Sequence, residues 1–149
     1  MSLKRSILRP RRSRGQALVE FALVIPLLLL LIFGLIDLGR AVYVNNSLSE
    51  AAREGARWGS VQARSATNTT RQDIADYTVG RLTSVPGASA NAICIRPGTV
   101  VLPCSFNNIL RVEVETDLEM ITPIIGQLMS AAGLNPLHLS ATSEVVVNN

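Results

Sequence analysis

The stretch GQALVEFALVIPLLLLLIFGLIDLGR, residues 15–40, decides the architecture. From Ala17 to Ile36 its only charged side chain is Glu20. A helix of that length, rising about 1.5 Å per residue, spans roughly 30 Å, the thickness of a bilayer's hydrocarbon core. A carboxylate within such a segment costs on the order of a few kcal/mol unless it finds a partner. Two readings of Glu20 stand at this point. It lies a turn inside the interface and reaches out to water, or it meets a partner within the membrane.

The charges flanking this run set its direction. Lys4, Arg5, Arg9, Arg11, Arg12 and Arg14 precede Gly15 and supply 6 of the 14 basic residues. The other 8 face 11 acids, so the remainder of the chain is net −3 (8 − 11). The overall charge of +3 is therefore a property of the N-terminal tail. Basic residues beside an apolar run mark the cytoplasmic end, which puts the chain after about Arg40 on the far side. A nucleic-acid partner would require basic residues spread over a folded face among aromatics, and none of the six aromatics lies in the tail. The apolar run is too long for a cleaved secretory signal. It leads into Asp37, Leu38, Gly39 and Arg40 rather than a small-x-small site, so a retained single-pass anchor is expected.

The helix is expected to continue past the membrane. No proline occurs between Asp37 and Gln62, and Ala41, Val44, Leu48, Ala51, Ala52, Gly55 and Trp58 recur at steps of three and four. Glu50 with Arg53 and Glu54 with Arg57 form i,i+3 pairs on the polar side. One helix from about residue 16 to residue 62 is predicted, roughly 70 Å long. Residues 63–71, ARSATNTTR, read as a linker, with Thr70 and Asp73 spaced as a capping box. A second helix is predicted over residues 71–84, with Ile74, Tyr77, Leu82 and Val85 towards one side and Pro86-Gly87 as its stop.

Strand signals dominate the rest. Residues 91–106, NAICIRPGTVVLPCSF, read as two short strands around Pro97-Gly98. In LRVEVETDLEM, Leu110, Val112, Val114, Thr116 and Leu118 alternate with Arg111, Glu113, Glu115, Asp117 and Glu119, the pattern of a strand with one buried face. Thr122 and Pro123 open a short helix that Gly133 can end, and LHLSATSEVVV supplies a last strand. The predicted fold is a membrane-anchored α+β protein. Residues 1–15 are a cytoplasmic basic leader, residues 16–62 a long helix crossing the membrane at about 17–36, and residues 63–149 a head with an antiparallel sheet.

No nucleophile elbow, phosphate loop or metal motif is present, and neither a cofactor nor a small-molecule substrate is implied. His138 falls in a strand-like alternation and reads as a surface side chain. Glu113, Glu115, Asp117 and Glu119 read as a solvated strand face, with cation binding a remote alternative. Cys94 and Cys104 lie on the exported side, where an oxidising compartment favours a disulfide worth about 3 kcal/mol at most. Two free thiols are the alternative. Ala51, Ala52, Gly55, Ala56 and Gly59 form a small-residue patch that either admits a second helix or packs against the chain's own head. Asp37 and Arg40 are spaced to pair at the membrane exit, as an interfacial anchor or a contact between subunits. Residues 120–134, MITPIIGQLMSAAGL, carry no charge and read as a core helix or as a face resting on a membrane or a pilin.

Gly15-Gln16-Ala17-Leu18-Val19-Glu20-Phe21, after a basic leader and before an apolar helix, resembles the processing site of type IV pilins and pseudopilins. In that family a membrane aspartyl peptidase cuts after the glycine, and the fifth residue of the mature chain is glutamate. Carried over by position, the cut falls between Gly15 and Gln16, and Glu20 is that glutamate. Cleavage would leave a cationic amine on Gln16, with which a neighbouring subunit's Glu20 could pair. Phe21 belongs to the same motif, and Pro26 can loosen the helix beyond it. The wider segment to Gly59 is similar to the TadE-like family of the tight-adherence (Flp/Tad) pilus system. The match includes the Asp37-x-Gly39-Arg40 exit and Ala51-Ala52-Arg53-Glu54-Gly55-Ala56-Arg57. The resemblance implies a non-enzymatic minor pseudopilin or assembly factor of the bacterial inner membrane. Its implied partners are the major pilin, sister pseudopilins, the pilus assembly machinery, the prepilin peptidase and membrane lipid. The alternative from another class is an uncleaved membrane-anchored adhesin or ligand-binding protein.

Overall fold

The computed structural model describes residues 14–64, 70–96, 99–100, 108–134 and 136–147. Most of the basic leader, the middle of the linker, and Cys104 lie outside these residues.

A single α-helix, α1, runs Arg14–Arg64 over 51 residues and carries Pro26 inside it. The ring deprives Ala22 of its i→i+4 hydrogen bond, yet the helix continues on both sides. Its C-terminal half is the spine of the head. Val44, Leu48, Ala51, Ala52 and Ala56 are buried, and Ala41 and Trp58 pack on their rim. This is the stripe that the three- and four-residue spacing predicts.

Helix α2, Arg71–Gly80, opens with the anticipated capping box. The Asp73 amide donates to Thr70 Oγ1 at 3.2 Å, and the Thr70 amide donates to the Asp73 carboxylate at 2.6 Å. It ends four residues before the predicted stop. Gly80 is a poor helix former, and the chain then tightens into turns in which Leu82 N–H donates to Val79 and Val85 N–H to Leu82. Leu82 and Val85 still reach the core, from the turn rather than from a helix face. Gly87, at φ 77°, then turns the chain into the sheet.

Strands β1 (Ser89–Arg96), β2 (Thr99–Val100), β3 (Ile109–Leu118) and β4 (Leu137–Val146) form one antiparallel sheet in the order β2-β1-β3-β4. Between β3 and β4 lies the short helix α3, Pro123–Ala131. The β3 alternation sets the register. Leu110, Val112 and Val114 are buried in the middle of the sheet, opposite Cys94, Ala92 and Ala90 on β1 and Val145, Ser143 and Ala141 on β4. The second half of α1 and all of α2 cover this face, and Arg111, Glu113, Glu115 and Asp117 line the other. The result is a two-layer α+β head on a helix whose first half stands clear of it.

Candidate functional site

The exposed half of α1 is apolar on every side. Leu18, Leu23, Leu27 and Leu35 are 65–72 % exposed, and the rest of the chain buries none of the most apolar window. A helix hydrophobic all round belongs in lipid or among other helices. By length and composition α1 can cross a membrane. Glu20 stands on this exposed surface, and among the described residues it makes no hydrogen bond or ion pair. Gln16 and Glu20 are one turn apart on the same side. Phe21 is also exposed, and nothing crowds Gly15. Most side chains from Gly15 to Pro26 are thus exposed, with Ile25 half-buried.

Asp37 and Arg40 both reach the connection between β3 and α3. The Asp37 carboxylate is buried and accepts from two consecutive amides, Ile121 at Oδ1 and Thr122 at Oδ2, each at 3.1 Å. Arg40 donates to the Glu119 carbonyl at 2.9 Å. Thr122 is the N-cap residue of α3, but its side chain makes no capping bond. Asp37, some 85 residues away, instead places a negative charge at the positive end of α3. The Thr122 hydroxyl, which lies near the carboxylate without completing a hydrogen bond, and the two amides hold the Asp37 carboxyl below its ordinary range, against the effect of burial.

The small-residue patch packs inside the molecule. A β-carbon on Gly55 would collide with the Thr78 side chain, and one on Gly59 would come within 2.6 Å of Leu110 and 2.9 Å of Ile74. Small residues here let α2 and the sheet approach α1, so the head itself fills this face. Beside the patch a polar cluster missed in the sequence joins α1 to α2. Trp58 stacks on Tyr77 with centroids 4.5 Å apart and planes 10° from parallel. Arg81 lies over the Tyr77 ring at 5.0 Å. Glu54 accepts from Arg57 at 3.0 Å and from the Tyr77 hydroxyl at 3.3 Å, and Arg81 lies 3.7 Å away. The Arg57 contact, then Tyr77 and Arg81, keep the Glu54 carboxyl below its ordinary range. The Glu54–Arg57 pair forms as expected, whereas no ion pair joins Glu50 to Arg53 among the described residues.

The acidic strand face is open to water. Glu115, Asp117 and Glu119 are exposed, Arg111 pairs with Glu144 at 2.6 Å, and the exposed His138 contacts Asp117. No three potential metal ligands cluster among the described residues. Cys94 is fully buried on β1 and is not a free thiol. Its expected partner, Cys104, lies outside the described residues.

The exposed apolar half of α1, its acid, the Asp37 and Arg40 exit and the start of the head's spine all fall within one stretch of sequence. Residues 15–57 match the family model of the TadE-like protein. No curated protein and no solved structure matches the chain. The TadE-like segment begins at the glycine of the resemblance and ends at Arg57, beside the Glu54 cluster. It therefore covers both halves of α1, the exposed half and most of the half that packs on the sheet. The match covers 43 of the 149 residues, so the likeness is one of this helix and does not extend to the sheet.

Proposed function

We propose that the protein is a minor pseudopilin-like subunit or assembly factor of a Tad pilus, anchored in the inner membrane with its leader in the cytoplasm and its head outside. It acts by packing the first half of α1 against the corresponding helices of the major pilin and sister pseudopilins, not by catalysis. The observation that carries this reading is the exposed Glu20, without a partner among the described residues, within an apolar surface that the described head leaves bare. An acid in that setting needs a charge supplied from elsewhere. A prepilin peptidase cutting after Gly15 would expose the Gln16 amine, and a neighbouring chain's Glu20 would pair with it. Desolvation makes the unpaired state costly, so the pair would fix the register between subunits.

The test is piliation. Glu20→Ala and Gly15→Leu are each expected to abolish pili while the protein still reaches the membrane and its head still folds. Normal piliation in both variants would contradict the proposal. The alternative, an uncleaved membrane-anchored binding protein, is separated by mass spectrometry of the extracted N-terminus. A chain starting at Gln16 in peptidase-positive cells supports assembly, and an intact leader there supports the anchor.

A further inference from the structure

We propose that α3 is a membrane-surface helix, bedding the face that carries Ile124 and Leu128 into the leaflet on the head's side of the bilayer. This rests on reading residues 17–36 as a membrane span.

Position is the first ground. Asp37, directly after the span, holds the amides of Ile121 and Thr122 that lead into α3, and Ile125 in the first turn of α3 reaches back to Gly34. A β-carbon on Gly34 would meet Ile125 Cδ1 at 3.2 Å, so the first turn of α3 lies against a residue inside the apolar run. With a rise of about 1.5 Å per residue, Gly34 is only ~3 Å inside the end of the span at residue 36. That level is the boundary where interfacial helices lie, roughly 5–10 Å into the headgroup and acyl zone.

Surface chemistry is the second. Residues 120–134 carry no charge. Ile121, Ile124, Leu128 and Leu134 are 52–72 % exposed, and Gly126 is the buried residue of α3. Outside α1, the described residues hold only two other exposed large apolar side chains, Val79 and Val146. The apolar surface of the head is thus concentrated on the one element pinned beside the span. On a helical wheel Ile124, Leu128 and Ala131 share a side opposite the buried Gly126, with the half-buried Ile125 and Met129 on one flank and Gln127 and Ser130 on the other. A patch of this kind in water would be an aggregation liability. At the depth of Gly34 it continues the lipid-facing surface of α1, so lipid is the occupant that the position supplies.

The full chain in phosphatidylcholine vesicles tests this by fluorescence. Val24→Trp, Gln127→Trp and Leu128→Trp are each compared with the parent, whose Trp58 is subtracted. Leu128→Trp is expected to be quenched by brominated phosphatidylcholine roughly twofold more than Gln127→Trp, as a face buried about 5–10 Å requires, with acrylamide giving the reverse order. Quenching of Val24→Trp without quenching of Leu128→Trp overturns this inference and leaves the span intact. Protection of Leu128→Trp from both quenchers also overturns it, since a protein partner would then cover the face. Failure at Val24→Trp removes the span itself.

Discussion

At the residue scale the account turns on places where a single side chain decides a contact. Gly55 is one. Thr78 faces it and donates to the Ile74 carbonyl at 2.7 Å, so that side chain cannot swing aside without losing a buried bond. Gly55→Ala is expected to destabilise the head by about 1–3 kcal/mol, the usual cost of overpacking, despite the gain in helix propensity. Denaturant unfolding of the detergent-solubilised protein would measure it, and a stabilised variant would mean that α1 and α2 are less tightly apposed. Leu48, fully buried between α1 and the sheet, gives the opposite lesion. Leu48→Ala is expected to cost about 2–5 kcal/mol by the same measurement.

At the element scale, Asp37 joins α1 to α3. Its folded pKa lies below the ordinary carboxylate value, so the stability it contributes is complete above about pH 3.9, its unfolded pKa, and is lost as pH falls from there through the lowered value. Hydrogen exchange of the Ile121 and Thr122 amides should therefore be slow at neutral pH. It should accelerate roughly tenfold or more in Asp37→Ala, since a buried amide left without its acceptor costs about 1–3 kcal/mol. Unchanged exchange would mean that the turn before α3 is held by something other than α1. The elements also show how far the sequence could be read. The whole of α1, the β3 alternation and the Thr70–Asp73 box are governed by residues within a turn or two, and spacing reveals them. The end of α2 is not local in that sense. Pro86-Gly87 was the conspicuous stop, but Gly80 and the turns after it end the helix first. Tyr77, spaced as a core residue, is drawn aside by Trp58 and Arg81, and α3, uncharged like a core helix, leaves Ile124 and Leu128 bare. These outcomes depend on partners tens of residues away. So does the union of Asp37 with the turn before α3, whose acidic and apolar halves were each visible in the sequence but not their meeting.

At the scale of the whole molecule, one helix does two jobs. Its second half is committed to the sheet through small residues that no other chain can use while the head is folded. Its first half is bare, apolar and marked by one acid. The head and the proposed assembly surface therefore occupy different halves of the helix, which is why Glu20 substitutions should leave the head's unfolding curve unchanged. The central claim is that the bare half packs against a neighbouring subunit through Glu20. A photo-crosslinking residue at Phe21, one position from the acid, tests this most directly in piliating cells. The account predicts a crosslink to the N-terminal helix of another pilin-like subunit that disappears when Glu20→Ala is added. Adducts to lipid alone, or the same protein crosslink in the Glu20→Ala background, would contradict it.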